Sequence, residues 1–410
     1  MVSNQQNHRL PTSGARLAVN GGSPVRPAPL TFAPPDIREE DIAEVVDTLE
    51  SGWLVTGPKV HRFEQEFAAY LGMPYAVGLT SCTAALALSL ELVGVGPGDE
   101  VIVTPNTFVS TVTTITERGG VPVFVDIDPE TYNMDHARVA EAVTERTKAV
   151  IAVHYAGRPC RMEMLRNICD TRGIALISDA AHAIEARIGS QSVAQFSDIS
   201  CYSFHAVKNL TTGEGGMLVT MDTDWCKRLK PLRLCGLTKD AFARYGQGKA
   251  DYDVLEPGYK CNMMDIQAAL GLGQLRRLEA NHLRRRQIWD AYDEAFREIE
   301  GLTIPPKEDP GTRHARHLYN MLVNPELIYG GKQAFVSAMQ AEGIATSAHF
   351  RPIPSFSMFN QGDVSWRGSF DNAARFYERT VSLPLTTRLT EDDVNDVIQA
   401  ALKVAHGLRT

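Results

Sequence analysis

Residues 149–182 read AVIAVHYAGRPCRMEMLRNICDTRGIALISDAAH, and the alternation inside this stretch decides the fold class. AVIAVH (149–154) and IALISD (174–179) are short continuous apolar runs, and the segment between them is helical in pattern. A run without polar alternation suits a strand buried on both faces, and a helix between two such strands suits a parallel pair. The unit recurs outward from this stretch. YAVGL (75–79), VIVT (101–104), VPVFVD (121–126), ISCYSF (199–204) and GMLV (216–219) are further strands, separated by helical or Gly-rich stretches. The expectation is an α/β domain with a doubly wound, parallel or mixed sheet. Polar chemistry should gather at the carboxyl ends of its strands.

Ahead of the strands, Ile42, Val45, Val46 and Leu49 share one helical face, with Asp36 and Glu39 spaced as a capping box and Gly52 as a stop. A second helix is expected from Val60 to Leu71, closed by Gly72. Beyond residue 262 a long helical region leads away from the sheet, followed by shorter elements and a last helix near 390–406. A chain of 410 residues exceeds what one hydrophobic core normally serves. The expected division is a loose leader (1–35), a large α/β domain (36–285) and a smaller C-terminal α+β domain (286–410).

The composition, 44% hydrophobic and 22% charged, is that of a globular protein, and no apolar run approaches the roughly 18 residues of a membrane span. The polar start has no apolar h-region of a secretory signal. A net charge of −8 without a basic stripe argues against nucleic acid as a partner. Seven scattered cysteines, with no C-x-x-C and no His–Cys cluster, fit a reducing cytoplasm and give no metal site.

Three strand ends carry unusual residues. At the first, a strand runs through Thr80, Ser81, Cys82 and Thr83 into an Ala/Leu-rich helix, a start that suits an anion, although taken alone plain N-capping is the commoner reason for Ser and Thr there. At the second, Asp179 ends a strand and His182 follows. A carboxylate there can hold a pyridinium proton, or simply cap a helix beside a satisfied core histidine. At the third, Lys208 sits before a loop with Gly213, Gly215 and Gly216. A lone lysine is ordinarily a solvated surface residue. A helix start suited to phosphate, a strand-end Asp and, 29 residues on, a lysine beside a Gly-rich loop together match the three handles of pyridoxal 5′-phosphate (PLP): phosphate, ring nitrogen and aldehyde.

TSCTAAL, GDEVIVTPNTFVSTV, VHYAGRPCRM, ISDAAHAIEAR, SFHAVKNLTTGEGG, PGYKCNMMDIQAALG and SLPL, in that order over residues 30–405, resemble the DegT/DnrJ/EryC1/StrS family. Its members are fold-type-I, PLP-dependent sugar aminotransferases. The resemblance implies Lys208 as the Schiff-base lysine and proton shuttle, and Asp179 as the partner of the pyridinium nitrogen. It places Phe108 against the ring face, where a core aromatic is the other reading, and His182 near the ring hydroxyl. Ser203 and the amides of Ser81 and Cys82 would hold the phosphate. Asn262 would reach the phosphate of a neighbouring subunit, which implies a homodimer with shared active sites.

Within the family, His205 in SFHAVKN and the segment SAHFRPIP (347–354) are similar to enzymes that aminate C4 of nucleotide-linked 4-keto sugars, such as the UDP-4-amino-4-deoxy-L-arabinose aminotransferase. That likeness implies a nucleotide-linked 4-keto-6-deoxy sugar as acceptor, L-glutamate as donor and a ping-pong cycle through pyridoxamine phosphate. His205, His349 and Arg351 would lie near the substrate, the last two being otherwise a solvated pair. LAVNGGSPVRPAP (17–29) instead resembles the start of cyclitol aminotransferases, so an inosose-type ketone is the alternative acceptor. A non-catalytic regulatory dimer on the same scaffold would not need the intact lysine and aspartate.

Overall fold

The computed structural model describes residues 16–410 apart from 247, 249, 250, 363 and 364. Seven strands build the large sheet: β1 (Tyr75–Leu79), β2 (Glu100–Val103), β3 (Val121–Phe124), β4 (Thr147–Val153), β5 (Ala175–Asp179), β6 (Ile199–Ser203) and β7 (Gly216–Thr220). Their order is β1-β7-β6-β5-β4-β2-β3, and Arg367–Gly368 adds an eighth strand beside β3. β7 runs antiparallel to both its neighbours and the other pairs are parallel, so the sheet is mixed. Both faces are buried, as continuous apolar strands require. Val101, Val103, Ile151, Ile177 and Leu218 pack on one side, while Ile102, Val150, Leu176, Met217 and Val219 pack on the other.

The smaller C-terminal part carries an antiparallel sheet of Leu302–Thr303, Tyr319–Val323 and Thr380–Leu383, backed by helices Leu278–Phe296, Gly331–Ala341 and Glu391–Gly407. The long helical region beyond 262 is two helices, Asp265–Arg276 and Leu278–Phe296, meeting at Arg277, which is ion-paired to Asp41. Of the leader expected over residues 1–35, the first 15 lie outside the described residues. From Leu17 onward it packs on the C-terminal core, with Glu342 accepting from the Ala18 and Val25 N–H groups at 2.9 and 3.0 Å. Within the C-terminal part the chain between helix Gly331–Ala341 and strand Thr380–Leu383 crosses back, since Ile353 and Phe359 pack in the core of the large sheet.

The first helix, Glu39–Glu50, differs from its sequence pattern in two ways. Its box closes between the Arg38 N–H and Asp41 Oδ2 at 3.0 Å rather than between Asp36 and Glu39. It buries Asp41 and Thr48 toward helix Asp265–Arg276 and turns Ile42, Val46 and Leu49 outward. Gly273 permits this close approach, because a Cβ there would lie 2.2 Å from Asp41 Oδ1. The apolar face read from the sequence exists, but it does not face this chain's own core.

Candidate active site

Strand register brings the three unusual strand ends together. Gly216 pairs with Leu79 on one side and Ser203 on the other, and Asp179 pairs with Cys201. β1, β5 and β6 therefore end at one edge of the sheet. Ser81 caps helix Cys82–Val93 by accepting from the Ala84 N–H at 3.1 Å, so capping and an anion-suited helix start coexist at one residue. A Cβ at Gly216 would sit 2.3 Å from the Ser81 carbonyl carbon and 2.5 Å from the Cys82 nitrogen, so only glycine lets β7 pass this close to the Ser81–Cys82 peptide. Gly216→Ala should therefore cost about 1–3 kcal/mol of stability. Thermal denaturation would read that loss.

The strand ends open on a cavity of about 500 Å³ lined by Ser81, Cys82, Phe108, Asp179, His182, Ser203, His205, Lys208 and His349. Nine of the eleven residues singled out from the sequence thus meet at one place. Asn262 and Arg351 do not. Asn262 donates to Thr56 Oγ1 at 2.7 Å, accepts from Lys260 at 2.6 Å and lines a separate cavity. Arg351 is exposed, bonds Ser355 Oγ at 2.9 Å and lies over the Phe356 ring.

Asp179 is buried at the base of the cavity, where Oδ2 accepts from Thr111 at 2.7 Å and Oδ1 from the Ala181 N–H at 3.2 Å. Burial pushes its carboxyl up from the usual carboxylate range, against the pull of the Thr111 bond, the Ala181 amide and the Lys208 charge. The Lys208 side-chain amine makes no hydrogen bond or ion pair among the described residues, while the residue's backbone N–H donates to the His205 carbonyl at 2.9 Å. Burial pushes its ammonium down to about 8, opposed chiefly by the charge of Asp179. An unpartnered amine that gives up its proton near neutral pH is suited to nucleophilic attack on a carbonyl.

Phe108 is 58% exposed, which excludes the reading of a core aromatic. His182 is buried with its Nδ1 unpartnered, so it is not a satisfied core histidine. Its ring stacks on Phe350 at 5.8 Å and lies 4.3 Å from His317. His349 Nδ1 meets Ser382 Oγ at 2.8 Å. Burial, with Lys208 next, lowers the pKa of His182, His317 and His349, the last to about 4, so three neutral imidazoles border the cavity. His205 stands exposed at the mouth, 3.7 Å from Glu214.

Sequence reasoning missed Thr107, Thr111, His317 and Phe350. Thr107, in the loop after β2, and Thr111, in the first turn of helix Ser110–Glu117, are bonded at 2.8 Å, and their four-residue spacing is readable in NTFVST. His317 and Phe350 come from the C-terminal part and carry no local signal. Among the described residues, no cluster of three or more His, Cys, Asp or Glu could hold a metal, and no helix is long and apolar enough to cross a membrane.

An unpartnered lysine, a buried carboxylate and a capped helix start on one edge of a doubly wound sheet define an enzyme of the fold-type-I aminotransferase class. The chain belongs to the DegT/DnrJ/EryC1/StrS aminotransferase family, whose model matches residues 35–402. It is 44% identical over 380 residues to the spore coat polysaccharide biosynthesis protein SpsC of Bacillus subtilis (strain 168), covering 92% of this chain and 97% of SpsC. The putative sugar aminotransferase Spr1654 of Streptococcus pneumoniae, in its PLP form, superposes with a TM-score of 0.85 at 34% identity, covering 93% of this chain and 100% of that one. DesI, solved in the presence of its TDP-sugar product, superposes with a TM-score of 0.84 at 30% identity, covering 95% of this chain and 96% of DesI.

Proposed function

We propose that this aminotransferase holds PLP on Lys208 and moves an amino group from L-glutamate to the C4 keto group of a nucleotide-linked 4-keto-6-deoxy sugar. The observation that carries the reading is the unpartnered Lys208 amine in the same cavity as the buried Asp179 and the start of helix Cys82–Val93. The residues present fit the cofactor: the helix start and Ser203 suit its phosphate, Asp179 its ring nitrogen, Phe108 its ring face and Lys208 its aldehyde. When bound, PLP supplies an electron sink for the carbon that loses its proton. Asp179 would keep a proton on the ring nitrogen, while Lys208, freed in each half-reaction, would take and return the proton at the reacting carbon. His182 would stand by the ring hydroxyl.

The sugar acceptor draws support from the relatives, since SpsC is named for polysaccharide biosynthesis and DesI was solved with a TDP-sugar product. His205 and His349, both on the cavity wall, would face that substrate, and Arg351 would reach it only from outside the wall. A homodimer would account for two features at once: the outward apolar face of Ile42, Val46 and Leu49, and Asn262, which bonds Thr56 and stands away from its own chain's Lys208 cavity. The free thiols of the seven cysteines suit the cytoplasm.

Single-turnover assays on the pyridoxamine form test the acceptor. A nucleotide-linked 4-keto sugar should restore the absorbance of the PLP form, and restoration by an inosose alone would move the reading to cyclitols. The lowered pKa gives a second expectation. Only the neutral amine attacks an aldehyde, so the rate at which apoprotein captures PLP should fall about tenfold per pH unit below 8 and level off above it. Stopped-flow absorbance would show this, whereas a rate still climbing through pH 10 would mark an ordinary lysine.

A further inference from the structure

A polar chain, buried except at its half-buried link Asn209, runs from the helix joining the two parts of the molecule to the wall of the Lys208 cavity. Arg285, in helix Leu278–Phe296, is ion-paired to Glu185, and both are buried. Glu185 Oε2 accepts from Asn209 Nδ2 at 2.9 Å, and the same Nδ2 donates to the Ala315 carbonyl at 2.9 Å. Asn209 Oδ1 then meets His317 Nδ1 at 3.0 Å. Both partners of Nδ2 are pure acceptors, which settles which end of the amide is which. Oδ1 can only accept, so His317 Nδ1 must carry the hydrogen. The ring lines the cavity, and its Nε2 has no hydrogen-bond partner among the described residues. The charged and titratable groups around it are Lys208, His349, Arg285, His314 and the adjoining His182, and burial keeps the ring neutral.

We infer that Arg285, Glu185 and Asn209 form a positioning chain that locks His317 in its Nδ1–H tautomer, so that Nε2 offers a bare lone pair to the Lys208 cavity. The group it takes is a hydrogen-bond donor, supplied either by a hydroxyl of the acceptor substrate or by the Lys208 ammonium. The inference rests on the proposed function for the identity of those donors, but the tautomer does not depend on it. Neutral His317 is a positioning residue: it holds a donor in place and exchanges no proton.

Selective ¹⁵N-histidine labelling of the full-length protein reads the tautomer directly, with His317→Asn identifying the resonance by its loss. The expected result is a protonated Nδ1 and an unprotonated Nε2 from pH 6 to 8. A protonated Nε2 in that range would overturn the inference, whatever cofactor or substrate the protein uses. Asn209→Ala should release the lock, and a fraction of His317 should then carry its hydrogen on Nε2. His317→Asn keeps a donor for Asn209 and removes the group at the cavity. If the donor is a substrate hydroxyl, this variant should raise KM for the acceptor about tenfold with kcat nearly unchanged. If the donor is the Lys208 ammonium, the pH midpoint of Lys208 modification in the apoprotein should move down. Neither change in a folded variant would also overturn the inference.

Discussion

Lys208→Ala should abolish transamination, lowering kcat by at least about 10⁴-fold, because under the proposed function the variant loses both the group that holds the cofactor and the group that moves the proton. The same variant should be no less stable than the parent at neutral pH. The fold lowers the Lys208 pKa from its ordinary 10.5 to about 8. A folded-state pKa below the unfolded one makes the protonated lysine a net cost to folding. That cost is present in full below pH 8 and disappears as pH rises from 8 to 10.5, where the unfolded chain binds the extra proton. At pH 7 it amounts to about 3 kcal/mol, against which the alanine loses the packing of the lysine stem. The apoprotein of the variant should therefore melt at or above the parent temperature at pH 7, and the difference should shrink by pH 10. A variant that melts far below the parent, or that still turns over, would contradict the role given to this residue.

Asp179→Asn should lower kcat by about 10²–10³ with a much smaller effect on KM. Asparagine keeps the shape and can still accept from Thr111, but it carries no charge to hold a proton on the ring nitrogen. The carboxylate is held from two sides, by Thr111 and by the Ala181 amide, and Thr107 bonds Thr111 in turn. Burial alone would favour the neutral acid, and these bonds with the Lys208 charge oppose it. The variant should still bind cofactor covalently at Lys208, with its visible absorbance shifted. Full activity in Asp179→Asn would remove the electron-sink argument.

These two residues are also the part of the site that the sequence makes legible. The strands on either side of Asp179 are short apolar runs buried on both faces, so their boundaries could be read to within a residue or two. The chemistry follows because strand ends meet at one edge whatever the details of packing. What could not be read comes from distant chain. His317 and Phe350 reach the cavity through the folding of the C-terminal part, and nothing in HARHLYN or SAHFRP announces that they will pack against His182. The first helix shows a different limit. The spacing of Ile42, Val46 and Leu49 identifies an apolar face, but period alone cannot say whether that face meets the chain's own core or lies outward, as here. Asn262 belongs to the same problem, for its own cavity is not where the resemblance places its work.

The most direct test is chemical. Purified full-length protein is incubated with PLP, reduced with borohydride and digested, and the modified peptide is sequenced by mass spectrometry. The account requires one phosphopyridoxyl group, on Lys208, in a protein that was yellow before reduction. A colourless protein with no fixed adduct, or an adduct on a different lysine, would contradict it.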